Sequence, residues 1–242
     1  MRSTAPRGKP AAMQCNICGG TAFTDMPKRP AVRCTDCGSL ERTRVAALHI
    51  AEDLRPASGS HILHFAPERG LSVLLREIGG PNYRAVDIDP PRYPGLGVER
   101  FDLCEDVYDL PLDRYDLIVH NHVLEHLEGN YSAILLRLAR SLSDTGTMLF
   151  SVPILPGGFT DELMVGTLDD KLQRFGPSLH VRRFGTETLQ RTLGMLFPIP
   201  DSHDLRDRFD EALLARCNIP PHHWTNFTGA TVFRLRKQDL RC

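Results

Sequence analysis

The 242-residue sequence contains no apolar run approaching the roughly eighteen residues of a membrane span. Its first residues, MRSTAPRGKPAAMQ, lack the apolar core of a secretory signal, so the expectation is a cytoplasmic protein. Charge of one sign is not in excess: 29 Lys and Arg stand against 30 Asp and Glu, and nothing in the net charge of -1 calls for a polyanionic partner. No segment repeats another, and no GxGxxG follows an apolar run, which argues against an NAD-dependent enzyme. What remains, 41% apolar and 24% charged, is an ordinary globular composition, long enough for one large domain or for a domain with a small appendage.

Seven cysteines are present, and their spacing is informative. Cys15 and Cys18, then Cys34 and Cys37, form two CxxC pairs fifteen residues apart, while Cys104, Cys217 and Cys242 are scattered. In a reducing compartment this is the spacing of a four-cysteine zinc ribbon rather than of a disulfide framework. Each pair lets two thiolates reach one tetrahedral ion, and Gly19 and Gly38 directly after the pairs permit tight turns. Four thiolates leave no open coordination position, so the ion is expected to be structural. Residues 1–13, rich in Pro, Arg, Lys and Ala, are expected to form a disordered leader, with the ribbon at 14–40 and a connecting helix at 41–59. Residues 1–50 hold eight Lys or Arg against three Asp or Glu, a basic end without an aromatic ladder, more in keeping with a solvated face than with nucleic acid.

From residue 60 to 242, short apolar runs alternate with helical stretches, the pattern of a parallel α/β sheet. Strands are expected at 61–65, 83–88, 98–103, 115–121, 147–152, 196–199 and 230–235, helices at about 70–78, 131–142 and 186–196, and a charged helical stretch at 204–217. Between the fifth strand and residue 185 no clean periodicity is visible, and an insertion this long, at about 155–185, reads as a functional lid. The most telling stretch is DLIVHNHVLEHLE, Asp116 to Glu128, in which a strand apolar on both faces runs into Asn, His and Glu. Ligands in such sheets collect at the carboxyl ends of the strands.

ILHFAPERG, an acidic second strand end at Asp87, another at Asp102, YDLIVHNHVLEHL, GTMLFSVP and FGPSLHVRRFG together resemble class I S-adenosylmethionine-dependent methyltransferases over residues 60–237, and more narrowly a bacterial branch with an N-terminal four-cysteine zinc ribbon. The resemblance implies a Rossmann-like seven-stranded sheet with an antiparallel last strand. It also implies that Phe65, Ala66, Pro67 and Glu68 line the methionine part of the cofactor, Asp87 and Ile88 its ribose, Asp102 and Leu103 its adenine, and Asn121 its aminobutyrate end. The chain departs from the wider superfamily in the first loop, where a GxGxG is usual and only Gly70 is kept. Glu68 stands where it can replace the acid that holds the cofactor amine.

Methyl transfer from a sulfonium asks mainly for alignment in a dry pocket, but a hydroxyl or ammonium acceptor must lose a proton. His122 and His180 are candidates for that catalytic role, or else structural histidines. Alternatively His122, Glu125 and His126, at helical i, i+3 and i+4 spacing, share one face and with His180 hold a second divalent metal. The leading expectation is an enzyme that methylates a small molecule or sugar-containing intermediate. An RNA methyltransferase using the basic ribbon and a non-catalytic zinc-ribbon adaptor are the alternatives.

Overall fold

The computed structural model describes residues 12–163 and 166–241; most of the expected leader, two lid residues and Cys242 lie outside these. The chain begins with the hairpin of β1 (Phe23–Met26) and β2 (Arg29–Cys34), antiparallel and set between the two CxxC pairs. It continues into α1 (Glu41–Leu48), prolonged by a π-helical turn at His49–Leu54 that ends on Arg55 in the left-handed region. The following α/β unit runs β3 (Ile62–Phe65), α2 (Arg69–Gly79), β4 (Tyr83–Asp87), β5 (Glu99–Arg100), β6 (Tyr115–Asn121), α3 (Tyr131–Ser141) and β7 (Leu142–Ser151). The lid region holds β8 (Ile154–Leu155), β9 (Thr160–Asp161), α4 (Leu168–Phe175) and β10 (Arg182–Gly185), and the chain closes with α5 (Glu211–Arg216) and β11 (Phe233–Arg236).

Among the described residues the main sheet has six strands in the order β11-β7-β6-β3-β4-β5, all parallel except β11, which runs antiparallel to β7. Its central strands are buried on both faces because side chains alternate direction and both sides are covered. Leu63, Phe65, Ile118, Met148 and Phe150 face α3 through Ile134, Leu135 and Leu138. Ile62, Leu117, Val119 and Leu149 face α1 and α2 through Val45, Leu48, Leu71 and Leu75. Each such side chain contributes about 1.5–3 kcal/mol of burial, which fixes the strand register and so the side chains that emerge at the carboxyl edge. No helix among the described residues is long and apolar enough to cross a membrane.

Several expectations are corrected. The sheet has six strands rather than seven, because residues 196–199 form no strand. Leu196, Phe197 and Ile199 are buried, but Pro198 and Pro200 remove the amide donors a ladder needs. The Ile199 carbonyl is taken instead by Gln190 Nε2 at 2.9 Å and that of Leu196 by the Arg241 amide at 2.9 Å. The helix expected at 186–196 is two 3-10 turns, Thr186–Arg191 and Leu193–Met195, interrupted at Thr192. β-Branched Thr186, Thr188 and Thr192 and the flexible Gly194 make this a weak α-helical segment. The third strand shrinks to Glu99–Arg100, and the charged stretch at 204–217 is helical in two pieces, Leu205–Asp207 and Glu211–Arg216. The lid, read as irregular, contains a small sheet in the order β8-β10-β9 whose strands are too short to leave a period in the sequence.

Candidate functional site

Cys15, Cys18, Cys34 and Cys37 bring their four sulfur atoms within 4.8 Å of one another, with Cys15 and Cys37 at 3.6 Å and Cys18 and Cys34 at 3.5 Å. Ligand sulfurs around a tetrahedral zinc ion lie about 3.8 Å apart, so the donor set is close to the arrangement zinc requires. Burial would raise the Cys15 thiol, but the Ser39 hydroxyl and the amides of Cys18 and Ile17 outweigh it and hold Cys15 down at about 7. The ribbon is keyed to the sheet. Arg44 on α1, fully buried, donates from Nη1 to the carbonyls of Val32 (3.0 Å) and Ser39 (2.9 Å), from Nε to Cys217 (2.8 Å) and from Nη2 to Asn218 (2.8 Å). A Cβ on Gly70, in the first turn of α2, would lie 3.0 Å from Cys37 Sγ and 3.3 Å from Ile17 Cγ2, so glycine lets the ribbon approach this helix more closely than a side chain would without displacing it.

The carboxyl ends of β3, β4 and β6 line one edge. β3 ends on Phe65, and Ala66 then turns the chain in the left-handed region (φ 47°), an uncommon conformation for alanine, leading through Pro67 to Glu68, which caps α2. Glu68 is held on both oxygens: Oε1 accepts from Thr43 Oγ1 at 2.9 Å and pairs with Arg42 Nη2 at 3.0 Å, and Oε2 accepts from Asn121 Nδ2 at 2.8 Å. Asn121 in turn accepts from Ser151 Oγ at 2.8 Å. At the end of β4, Asp87 accepts from the Asp89 amide (2.8 Å) and the Tyr93 hydroxyl (2.9 Å), and Ile88 beside it is 57% exposed, an apolar side chain left in solvent at the strand end. Asp102 accepts from the Cys104 amide at 2.8 Å, and Leu103 is buried. Asp102 and Leu103 thus sit in a turn beyond β5 rather than on a strand. A groove of about 640 Å³ runs between ribbon and first loop, lined in part by Arg33, Arg42, Glu68 and Arg69; of the residues named for the cofactor it includes only Glu68.

Beyond Asn121 the chain does not enter a helix. His122 is left-handed (φ 54°), and residues 123–126 form a turn closed by the His126 amide on the Val123 carbonyl at 3.0 Å. The helix expected to carry His122, Glu125 and His126 is therefore replaced by a turn, and α3 starts only at Tyr131, where the Asn130 side chain accepts from the Ser132 and Ala133 amides. The turn nonetheless brings together the residues named from the sequence. His122 Nδ1, His126 Nε2 and His180 Nε2 lie 3.6, 3.8 and 4.0 Å from Glu125 Oε1, and the His126 and His180 rings meet edge to face at 4.8 Å. Glu125 is fully buried, and burial pushes its carboxyl up to about 8. Burial likewise pushes His122 down to about 3 and lowers His126 and His180. His122 Nε2 is 2.8 Å from the Gly229 carbonyl, whereas His126 and His180 are 43% and 37% exposed at the side chain.

Some residues that organise the site escaped the sequence reading. Arg42, Thr43 and Arg44 belong to a charged run, ERTR, opening an otherwise apolar helix, and that contrast is the signal that could have found them. Arg182, fully buried, pairs with Asp161 (Nη2 to Oδ1, 2.9 Å), lies over the Tyr131 ring and donates to the carbonyls of Leu124, Leu127 and Gly129. It thereby holds the turn that carries Glu125 and His126. Ser151 lies within GTMLFSVP, which assigns it no role, and Tyr93 belongs to no motif.

A family model described as a methyltransferase domain matches residues 41–212. Among solved structures, a SAM-dependent methyltransferase from Archaeoglobus fulgidus is 16% identical over 79% of this chain and 92% of its own, with a TM-score of 0.46. An S-adenosylmethionine-dependent methyltransferase from Mesorhizobium loti is 18% identical over 49% of this chain and 59% of its own (TM-score 0.35). A Burkholderia thailandensis 1,6-didemethyltoxoflavin-N1-methyltransferase is 20% identical over 70% of this chain and 72% of its own (TM-score 0.42). The chain spans 35% of the length of the matched CurJ carbon methyltransferase. No curated protein matches the sequence.

Proposed function

The chain belongs to the methyltransferase-domain family, and from that premise we propose that it transfers the methyl group of S-adenosylmethionine to a small molecule or sugar-containing biosynthetic intermediate, with a structural zinc in its ribbon. The observation that carries this reading is the row of polar groups at adjacent strand ends, Glu68 paired with Asn121 and flanked by Asp87. S-adenosylmethionine supplies a methyl on a sulfonium that is its own leaving group, so this chain's work is binding, orientation and exclusion of water. Glu68 is the group for the cofactor amine. Arg42, Thr43 and Asn121 hold its two oxygens in place, and a carboxylate with about four lone-pair sites keeps capacity for a further donor. Asp87 has the same spare capacity for a ribose diol, and exposed Ile88 offers an apolar contact beside it. Ala66 and Pro67 turn the backbone that would line the methionine part, and Asp102 and Leu103 are assigned to the adenine end.

The acceptor is assigned to the side of His126 and His180, whose imidazoles burial biases toward the neutral form that carries a lone pair. His122 is less suited to touch it, since one ring nitrogen meets the Gly229 carbonyl and the other faces Glu125. Isothermal titration of S-adenosylhomocysteine tests the reading. Binding is expected, with loss of about tenfold or more in Asp87→Ala and Glu68→Ala, the scale of one charged hydrogen bond. Absence of binding and of any thermal stabilisation would sink the proposal and favour a non-catalytic adaptor. A steep fall of acceptor binding with salt would transfer the assignment to an RNA substrate.

A further inference from the structure

The Glu125 carboxylate is fully buried, and neither of its oxygens has a hydrogen-bond partner. A buried carboxylate in that position carries a desolvation penalty of several kcal/mol, which proteins remove by neutralising the group, pairing it or coordinating a metal. Pairing is not offered in hydrogen-bond geometry: the surrounding imidazole nitrogens stand 3.6, 3.8 and 4.0 Å from Oε1, each too far for a hydrogen bond. Glu125, His126 and His180 present ligand atoms that all lie within 4.8 Å of one another. Ligand atoms around an ion at about 2.0–2.2 Å are separated by roughly 3–3.6 Å, so small side-chain rotations close the set.

We propose that Glu125, His126 and His180 bind a divalent transition metal, distinct from the ribbon zinc, with His122 as an adjoining nitrogen donor. His122 shows the outer contact of a metal-bound imidazole, one ring nitrogen on a backbone carbonyl, Gly229, which leaves the other as a lone pair directed at Glu125. Arg182 supports the set from behind, since its own amide donates to the Glu125 carbonyl at 3.2 Å and its guanidinium clamps the same turn. Two imidazoles and a carboxylate suit zinc, iron or manganese, and unlike the four thiolates of the ribbon they leave coordination positions open. His126 and His180 are part-exposed, so those positions face solvent and are reachable by an acceptor oxygen. That last use, a metal-held hydroxyl or carboxylate oxygen on the acceptor, rests on the methyltransferase reading; the metal site does not. His180 then serves as a ligand, not as a free base.

The test uses the full chain, loaded with ribbon zinc and stripped of loosely held metal, titrated with Mn²⁺ and with Zn²⁺ while total metal is counted by mass spectrometry. One further equivalent is expected in the native protein, absent in Glu125→Gln and in His180→Gln. His180 keeps 37% of its side chain in solvent, so its variant keeps the fold if burial of Glu125 makes the other variant unstable. Mn²⁺ bound at the site should also broaden the imidazole resonances of His126 and His180. A stoichiometry of one metal per chain, equal in all three proteins, overturns the proposal. S-adenosylhomocysteine binding measured on the same samples separates the two readings, because loss of the second metal leaves cofactor binding intact, while absence of cofactor binding with two metals present counts only against the methyltransferase.

Discussion

Replacing Arg182 with Met is expected to loosen the turn on which the candidate site is built, and its cost can be worked from the contacts. The guanidinium is buried, pairs with Asp161 through Nη2 at 2.9 Å and Nε at 2.9 Å, and donates to three carbonyls of residues 124–129. Removing one partner of a buried pair costs about 3–5 kcal/mol. Asp161 keeps 27% of its side chain in solvent, which moves the expectation to the lower end, while the lost stacking on Tyr131 adds about 1 kcal/mol that is not strictly additive. A net loss of about 3–4 kcal/mol follows, or a fall in Tm of roughly 6–16 °C for a chain of this size. Arg182→Lys should recover only part of it, because one ammonium cannot reach Asp161 and the carbonyls of Leu124, Leu127 and Gly129 together. The measurement is thermal unfolding combined with amide hydrogen exchange. Exchange should accelerate at residues 124–129 in Arg182→Met and not in the sheet. A Tm within about 2 °C of the native protein, with unchanged exchange in that turn, would refute the reasoning.

A valine at Gly70 must displace Cys37 or Ile17, so Gly70→Val is expected to cost about 1–3 kcal/mol and to weaken ribbon zinc, read by unfolding and by competition with a chromophoric chelator; unchanged zinc affinity would count against the packing argument. Cys34→Ser should release the ribbon zinc and, because Arg42 and Thr43 hold Glu68 from the adjoining helix, lower S-adenosylhomocysteine affinity as well; cofactor affinity equal to the native value would show the two to be independent. His64 and His120 are buried and pushed down to about 3 by desolvation, below the value of about 6.5 in an unfolded chain, so the unfolded state binds their protons first. The stability they permit is complete above pH 6.5 and is lost as pH falls toward 3. His120 stacks on Phe150 at 5.0 Å and neither of its ring nitrogens has a partner, so His120→Phe should flatten the pH dependence of the unfolding free energy between pH 6.5 and 4.5 by about one proton. A slope identical to that of the native protein would contradict it.

The parts legible in the sequence are those governed by local rules. CxxC spacing states which sulfurs can share an ion, and LIVHN states where a doubly covered strand ends and polar chemistry begins. The short strands of the 155–185 insertion leave no signal because two residues cannot display a period, and the apolar residues around Pro198 and Pro200 mask the loss of two ladder donors. His122, Glu125 and His126 illustrate a coincidence of spacing: i, i+3 and i+4 suit a helix face, yet the same three side chains converge from a turn, because His122 reverses the chain in the left-handed region and Arg182 clamps the carbonyls that a helix would have used internally. That clamp spans more than fifty residues of sequence, and no local rule could have disclosed it.

The first loop shows how a glycine-poor version of this edge is organised. A run of glycines serves to let backbone come close to a bound group, whereas the glycine kept here, Gly70, makes room for Cys37 and Ile17 of the ribbon. Ala66, directly after β3, adopts the left-handed conformation that glycine would take more readily, a strain of about 1–3 kcal/mol that persists only where the surroundings enforce it. Those surroundings are the Ala66 amide on the Val86 carbonyl at 3.0 Å and the Glu68 carboxylate tied to Arg42, Thr43 and Asn121. Arg42 and Thr43 precede Arg44 on α1, and Arg44 is the residue that bonds the ribbon hairpin to the end of α5. The four-cysteine ribbon is thus continuous, through one helical turn, with Glu68, the residue proposed above for the cofactor amine. An appendage joined by a linker would leave Glu68 to solvent; this one lines, together with Glu68, the groove between ribbon and first loop.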